Sequence, residues 1–243
     1  MSVRRSHLAW SALLGLISGA PLLEAGSFRV APVRIDLSAR RPHSTLSVSN
    51  NGTERVTVQA EAFVWRVERD EDRLNETDDV LVNPPIFTLE PGATQLLRLG
   101  LREWISSRTE QTYRIVLEEV PPPRRPTEVG IRTLLRLSIP LFIQPTGSTS
   151  PELVWSASRQ PDGSLALAVE NIGRVHTRLR QFSVTADDQP QGDFVMSVPT
   201  YVLAGTRRQW TFDGARIPHA RELHVNGQTE GAELHATAPI QVR

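Results

Sequence analysis

The sequence contains no cysteine, so no disulfide can hold the fold together. It also contains no lysine, and all 27 basic residues are arginines. Any site that needs a positive charge must therefore use a guanidinium, which can bind a carboxylate through two parallel hydrogen bonds. Aromatic residues make up only 6% of the chain, which argues against a stacking surface for sugars or nucleic acid. Acidic residues also number 27, so the net charge gives no reason to expect a nucleic-acid partner.

The motifs of common enzymes and metal sites are missing as well. The sequence has no G-x-S-x-G, no H-E-x-x-H and no glycine-rich phosphate loop. His219, His224 and His235 follow no metal-ligand spacing, so we interpret them as surface or capping residues. The acidic stretch 68–79 lacks the spacing of a calcium-binding EF-hand loop and is predicted to be a solvated hairpin loop. We therefore expect no catalytic activity, no cofactor and no metal.

The N-terminus has the order of a secretory signal peptide. Arg4 and Arg5 precede an apolar run at residues 8–17, and the small residue Ala25 marks a cleavage site. The run is shorter than the roughly 18 to 20 apolar residues that span a membrane, which favours a cleaved signal over a membrane anchor. Removing residues 1–25 leaves an exported chain without a membrane span, which in a bacterium would lie in the periplasm or at the cell surface. The mature chain is long enough to bury a core without disulfides.

Alternation of apolar and polar residues predicts an all-β protein, because no useful segment has a helical period. The clearest strand is 131–143, where the odd positions are Ile, Leu or Thr. Pro140 lies inside it and cannot donate a ladder hydrogen bond, so we predict an edge strand. Other predicted strands cover residues 28–37, 45–49, 56–65, 95–101, 113–120, 165–170, 175–184, 196–203, 207–212, 222–226 and 233–242.

The linker-like composition of 144–151 divides these strands into two groups of the size of a β-sandwich. We predict an N-terminal domain at residues 26–145, a linker at 146–152 and a C-terminal domain at 153–243.

Several segments, taken in order and spacing, resemble the periplasmic pilus-assembly chaperones (PapD-like). They cover essentially the mature chain and lie at residues 83–92, 95–99, 113–122, 139–145 and 170–173. The resemblance implies two immunoglobulin-like domains that meet at an angle around a cleft. It also implies a pilus subunit as partner, which lacks its last strand, and an outer-membrane usher to which the subunit is delivered.

The resemblance further implies that an edge strand of the first domain fills the gap in the subunit. The donor residues would be those on one face of 131–137: Ile131, Thr133, Leu135 and Leu137. The alternative interpretation is that this face belongs to the core of the domain itself. We expect that alternative for the next residues on the same face, Ile139, Leu141 and Ile143. A free edge strand would also make self-association possible.

The family anchors the C-terminal carboxylate of the subunit with an arginine and a lysine. Arg34 falls on the arginine position, whereas Pro140 occupies the lysine position. A second arginine would have to replace the lysine, with Arg98 as the first candidate and Arg114 as the second. Arg98 could also be an ordinary surface or structural arginine. This departure suggests the archaic branch, which serves spore-coat-like pilins.

A different class of function is a secreted two-domain immunoglobulin-like adhesion or carbohydrate-binding protein. In that case residues 131–137 would be ordinary core. A periplasmic hydrolase is less well supported, since the sequence offers neither a nucleophile nor a metal set.

Overall fold

The computed structural model describes residues 28–104, 106–122, 133–147, 149–186, 189–196, 199–214 and 220–242. Within these residues the regular structure consists of β-strands. The strands are β1 Phe28–Ala31, β2 Ile35–Leu37, β3 His43–Asn50, β4 Val56–Glu68, β5 Glu71–Glu76, β6 Val80–Asn83, β7 Ile86–Leu89, β8 Thr94–Leu101, β9 Gln111–Val120, β10 Arg136–Ile143, β11 Leu153–Arg159, β12 Leu165–Asn171, β13 Thr177–Ala186, β14 Gln189–Met196, β15 Thr200–Val202, β16 Arg207–Phe212, β17 Glu222–Thr229 and β18 Glu233–Val242. No helix long and apolar enough to cross a membrane occurs in this part of the chain.

The N-terminal domain is a sandwich of two sheets. One sheet has the order β1-β3-β8-β6, and the other has the order β2-β10-β9-β4-β5, with β7 also pairing with β4. Alternate side chains of both sheets point inward and are buried, because successive residues of a strand face opposite sides. Fully buried members of this core include Leu46, Leu97, Ile115, Leu117 and Leu141.

The strand predicted at residues 28–37 is two strands in different sheets. β1 pairs antiparallel with β3, whereas β2 pairs parallel with β10. Pro32 has no N–H to donate, so the pairing of β1 ends there and the chain crosses to the other sheet. Val33, which the alternation places among buried residues, is 75% exposed in this crossing segment.

The C-terminal domain consists of β11 to β18 around a second core. β18 joins its two halves, since it pairs antiparallel with β17 and then parallel with β11. Trp155, Leu167, Phe182 and Val225 are among the buried residues. The predicted alternation is confirmed for β12, β13, β16, β17 and β18, whereas β11 and β14 were not predicted.

A buried asparagine ends one strand of the N-terminal domain. Asn50 donates from Nδ2 to the carbonyl oxygens of Leu89 at 3.1 Å and Glu54 at 2.7 Å. The Gly52 N–H donates to Asn50 Oδ1 at 2.9 Å. One amide side chain thereby satisfies backbone groups of two loops that would otherwise lack partners.

The C-terminal domain repeats this turn around Asn171. Its Nδ2 donates to Val202 O at 3.1 Å and Val175 O at 2.8 Å, and the Gly173 N–H donates to its Oδ1 at 3.0 Å. Both asparagines are fully buried. The same pattern of side-chain hydrogen bonds therefore stabilises an equivalent turn in both domains.

The acidic stretch 68–79 is a hairpin, but most of it is strand rather than loop. β4 and β5 pair across it, and the turn residues Arg69 and Asp70 have positive φ values of 51° and 69°. These angles are those of a tight two-residue hairpin turn. The hairpin is exposed, as predicted, but it is not isolated, because Asp70 and Asp72 contact the C-terminal domain.

Candidate functional site

β10 is an edge strand over only part of its length. It pairs with β9 from Arg136 to Ile143, but with β2 only from Leu141 to Ile143. The prediction of an edge strand at 131–143 is therefore wrong for the last three residues, which lie inside the sheet. The open side of β10 runs from Arg136 to Pro140, and residues 131 and 132 lie outside the described residues.

The hydrogen-bonding direction of each residue on this edge follows from one contact. The Glu119 N–H donates to Leu135 O at 3.0 Å, so odd-numbered residues here direct their backbone groups toward β9. Even-numbered residues direct theirs to the open side. Arg136 and Ser138 therefore present N–H and C=O groups to that side. Pro140 also faces it, so its missing N–H leaves the β9 ladder intact.

The predicted donor side chains lie at the rim of the N-terminal core. Leu135 and Leu137 are partly buried and pack against that core. Thr133 is exposed, and Ile131 lies outside the described residues. The three residues expected to be core are buried: Ile139, Leu141 and Ile143.

Arg34 and Arg114 lie in one row across the sheet, on either side of Pro140. β2 begins with Ile35 opposite Leu141, which puts Arg34 beside Pro140. Pro140 in turn pairs with Arg114 on β9. Because neighbouring strands lie about 4.8 Å apart, the two arginines are separated by roughly two strand spacings on the same face.

Arg34 forms ion pairs with two carboxylates. Its Nε donates to Asp36 Oδ2 at 2.9 Å, and its Nη1 lies 2.6 Å from Glu230 Oε2 of the C-terminal domain. Partial burial by itself lowers the pKa of Arg34, but the hydrogen bond and charge of Asp36 and the charge of Glu230 leave the pKa above its ordinary value. About a third of the side chain remains exposed, at 34%.

Arg114 is the more buried of the two arginines, with 14% of its side chain exposed. Its Cζ lies 3.6 Å from the ring centre of Trp65 and 5.6 Å from that of Tyr201, a cation–π arrangement. Among the described residues, the carboxylate within ion-pair distance of Arg114 is that of Asp72, at 4.0 Å. Burial lowers the pKa of Arg114, and the charge of Arg178 lowers it further, while Asp72 and Tyr201 act in the opposite direction.

Arg98 lies in the other sheet of the N-terminal domain. It is exposed on β8, paired with Thr45 and Asn83, and lines a surface cavity of about 750 Å³. The structure thus brings Arg114, the second candidate, into line with Arg34, and leaves Arg98, the first candidate, apart.

An aromatic cluster joins the two domains next to this row. Phe142 stacks on His176 with ring centres 3.6 Å apart, and lies 6.0 Å from Trp65 and 5.8 Å from Tyr201. Trp65 and Tyr201 meet edge to face at 5.3 Å. Trp65 and Phe142 lie on the outer face of the β2-β10-β9-β4-β5 sheet, where His176 and Tyr201 of the C-terminal domain pack against them.

Two polar contacts complete the junction of the domains. Glu110 Oε2 accepts the backbone N–H of His176 at 2.8 Å and lies 2.7 Å from its Nδ1, and both side chains are buried. On the other side, Arg208 donates to Asp70 O at 2.7 Å and to Asp72. Arg208 also donates from Nε to Tyr201 O at 3.0 Å.

A cavity of about 690 Å³ opens between the domains at the Arg34 end of the row. Its lining includes Arg34, Glu110, His176, Thr229 and Glu230. The cavity wall is therefore built by both domains and carries charge of both signs.

A family model described as "Pili and flagellar-assembly chaperone, PapD N-terminal domain" matches residues 27–149. That match spans half of the chain. The chain belongs to this family of pilus-assembly chaperones. The resemblance inferred from the sequence segments is thereby confirmed, and the family is one of chaperones.

Individual relatives support the same family. The chaperone protein PapD of Escherichia coli is 27% identical over 157 residues, which is 63% of this chain and 62% of that protein. The chain thus matches less than two thirds of the length of this relative.

Two solved structures share the fold. A chain of the CsuC–CsuE chaperone–tip adhesion subunit pre-assembly complex, from archaic Csu pili of Acinetobacter baumannii, has 20% identity and a TM-score of 0.67, covering 89% of this chain and 100% of that one. A chain of the Salmonella enterica SafA pilin–SafB chaperone complex has 19% identity and a TM-score of 0.61, covering 88% and 97%. The predicted pair of immunoglobulin-like domains is therefore confirmed.

Sequence reasoning missed the residues of the chaperone that join its domains. Trp65 and Phe142 lie on the strand face that alternation marks as outward, and were assigned no partner. The available signal was the run from Leu141 to Ile143, because consecutive apolar residues indicate a strand buried on both faces. Arg208 and Glu230 gave no such signal, since charged residues near turns are ordinary.

The histidines singled out in the sequence lie away from this site. His224 and His235 are exposed and each lies near a glutamate of its own strand, Glu222 or Glu233. His219 is outside the described residues. Among the residues that the structure describes, no group of three potential ligands is placed to hold a metal.

Proposed function

We propose that this chaperone works in the periplasm, where it binds pilus subunits by pairing its open edge with them and delivers them to an outer-membrane usher. The observation that carries the proposal is that the open side of β10, Arg136 to Pro140, ends at the row of Arg34 and Arg114. The unpaired backbone groups of β10, which could pair with a subunit strand, therefore lead directly to the two arginines, which could bind the carboxylate at its end. Family membership favours this function over an adhesion or carbohydrate-binding role.

The position of Arg34 implies the direction of the added strand. A subunit strand whose terminal carboxylate reaches Arg34 must run toward Pro140, parallel to β10. β2 also runs parallel to β10, beyond that point. The subunit strand would thus occupy the same side of β10 as β2 and end where β2 begins.

We assign the carboxylate anchor to Arg34 and Arg114. Both project from the same row, and the compact Pro140 between them leaves room for a carboxylate where the family has a lysine. Arg98 is the weaker candidate, because a group bound at Arg34 would have to reach the other sheet. Loss of the lysine is tolerable, since each guanidinium can hold a carboxylate by two hydrogen bonds.

The apolar residues beside the open edge complete the binding surface. Leu135 and Leu137 are only partly covered by their own core, so each can contact the core of the subunit at the same time. We propose that Ile131 and Thr133 extend this row. Without a subunit, the same open edge can pair with a second copy of the chaperone.

The export signal enters the proposal through the sequence alone, whereas the division into domains also has structural support. We propose residues 1–25 as the export signal, 26–145 and 153–243 as the domains and 146–152 as the linker. The first two sheets end at Ile143 and the third begins at Leu153, which supports this division.

The experiment that tests strand pairing replaces Ser138 by proline. Ser138→Pro removes an N–H from the open side of β10 and leaves the β9 ladder intact. We expect the variant to fold but to recover at least tenfold less of a co-expressed pilus subunit from the same genome. Ser138→Ala keeps the N–H and should recover as much subunit as the wild type. A folded Ser138→Pro variant that captures the subunit normally would contradict the proposal.

A further inference from the structure

The second carboxylate on Arg34 comes from the other domain. Asp36 follows Arg34 by two residues, so its contact with Nε is local. Glu230 instead lies in the β17–β18 turn of the C-terminal domain and reaches Nη1 at 2.6 Å. The arginine proposed to hold the terminus of a subunit is thus already occupied when no subunit is bound.

The turn holds Glu230 in place through its backbone. The Glu230 N–H donates to Arg178 O at 2.9 Å on the neighbouring strand β13. Thr229 closes the turn, because its N–H donates to Ala232 O at 2.9 Å and its Oγ1 accepts the Ala232 N–H at 3.1 Å. The Glu230 carboxylate is therefore directed at Arg34 by the fold rather than by a mobile loop.

We propose that Glu230 is an internal occupant of the site for the subunit carboxylate, which a subunit must displace from Arg34 as it binds. This inference rests on the proposed function, in which Arg34 binds that carboxylate. The chemistry is an exchange of one carboxylate for another on the same guanidinium edge. Asp36 stays on Nε throughout and keeps the guanidinium oriented.

Exposure and space make the exchange feasible. Arg34 and Glu230 are each 34% exposed, so their ion pair is screened by water and contributes little to stability. The cavity of about 690 Å³ beside them is large enough for a chain terminus. Among the residues that the structure describes, Arg114 has no comparably close carboxylate, since Asp72 lies 4.0 Å away. We therefore infer that a terminus first meets Arg114 and then competes for Arg34.

Competition from Glu230 lowers the affinity of the site for any single carboxylate. A free carboxylate would displace it only at high concentration, whereas a subunit paired along the edge presents its terminus at high effective concentration. When the strand leaves, Glu230 can take the place of the departing carboxylate. Glu230 would thus favour both selectivity and release.

The test is a titration of the ¹⁵N-labelled protein with N-acetyl-dialanine, which ends in a free carboxylate, followed at the Nε–H signal of Arg34 by NMR. We expect Glu230→Gln to reach half-saturation at a concentration about two- to fivefold lower than the wild type, as removal of a partly exposed ion pair implies. Glu233→Gln is the matched control on the same hairpin, because Glu233 is exposed and its carboxylate lies 3.5 Å from Nε2 of His235, on its own strand. It should titrate like the wild type. The C-terminal amide of the same dipeptide should leave the Arg34 signal unchanged.

Three results would overturn the inference: equal midpoints for wild type and Glu230→Gln, an equal response to the amide, or no response of Arg34 in either protein. A measurement of subunit capture distinguishes a wrong role for Glu230 from a wrong proposed function. If Ser138→Pro and Arg34→Ala lose the subunit while Glu230→Gln titrates like the wild type, only the role of Glu230 is wrong. If neither variant loses the subunit, the proposed function itself is wrong.

Discussion

At the scale of single residues, the absence of lysine and cysteine simplifies the alkaline chemistry of this protein. Between about pH 9 and 12 the side chains that titrate are tyrosines, and the chain has 2. Tyr113 donates from its hydroxyl to Asp79 Oδ2 at 3.2 Å. Burial first, and then the charge of Asp79, raises the pKa of Tyr113 to about 12.

A pKa raised above its unfolded value makes stability depend on pH. The contribution of Tyr113 is fully present below pH 10, where both states are protonated, and is lost as the pH rises through about 12, because the unfolded state ionises first. We expect the free energy of unfolding to fall by on the order of 1 kcal/mol over this range, after allowing for solvent screening of a half-buried group. Urea unfolding at several pH values measures it.

Tyr113→Phe should remove this alkaline loss while changing the stability at pH 8 only by the lost hydrogen bond. Absorbance of tyrosinate, followed in parallel, should show a delayed ionisation in the folded wild type. An alkaline loss of the same size in the variant would mean that another group is responsible.

The choice between Arg98 and Arg114 shows what alternation can and cannot predict about single residues. Both arginines lie opposite apolar neighbours on a strand, so their local patterns are equivalent. What separates them is the sheet to which each strand belongs, and that depends on pairings distant in sequence. The pairing of Pro140 with Arg114 has no local signature.

At the scale of elements, the buried asparagines stabilise equivalent corners of the two sandwiches. Asn50 satisfies the carbonyl of Leu89 and the N–H of Gly52 from one amide. Asn171 does the same in the second domain. Because the groups it bonds are withdrawn from water, removal of either amide leaves polar backbone atoms without partners.

Asn50→Ala should therefore destabilise the protein strongly. We expect a loss of about 2 to 3 kcal/mol in the free energy of unfolding, from at least one buried group left unpaired and a small cavity. Chemical denaturation measures the difference. Asn51→Ala changes the exposed neighbouring residue and should alter stability by less than about 0.5 kcal/mol. Equal effects of the two substitutions would show that the buried amide is not the cause.

The strands themselves were largely predictable, since alternation reports which face is buried. β3, β4, β8 and β9 lie where the pattern predicts them, with ends that differ by a few residues. Two kinds of element were not predictable. β5 is exposed along its whole length and carries no apolar face. The crossing between β1 and β2 depends on which sheet each half joins, although Pro32 marked its position.

At the scale of the whole molecule, the hairpin of β4 and β5 connects the domains. Its turn holds two non-glycine residues at positive φ, a conformation that costs an L-residue roughly 1 kcal/mol or more. Arg208 of the other domain binds this turn at Asp70 and the adjacent strand at Asp72. The turn and the domain contact therefore support each other.

Arg208→Ala should loosen the arrangement of the domains. Loss of a buried guanidinium leaves the hairpin carboxylates without their partner, so we expect a larger radius of gyration by small-angle X-ray scattering and separate unfolding transitions by calorimetry. Arg207→Ala is the control, because the adjacent Arg207 is exposed and bonds Gln209 of its own strand at 3.2 Å. A compact Arg208→Ala variant with a single transition would assign the domain arrangement to the other contacts, which are the aromatic cluster, Glu110 with His176 and Arg34 with Glu230.

Domain contacts of this kind lie beyond what alternation can predict. Arg208 and Asp72 are far apart in sequence, and each has the composition of an ordinary surface position. One part of the domain contact did carry a signal in the sequence. The end of β10, which contains Phe142, is apolar on both faces.

The open side of β10 has a fixed end at Pro140, because the pairing with β2 begins at the next residue. From Arg136 to Pro140 the edge spans five residues, or roughly 17 Å at the usual rise of a strand. The open side of β10 ends where β2 begins to pair with it, and Arg34 lies at that point. On the proposed function, a subunit with one extra C-terminal residue would overshoot by about 3.3 Å and turn its last side chain to the other face. The open side of β10 would thus select subunits whose C-terminal carboxylate falls at Arg34 when their strand is paired in register.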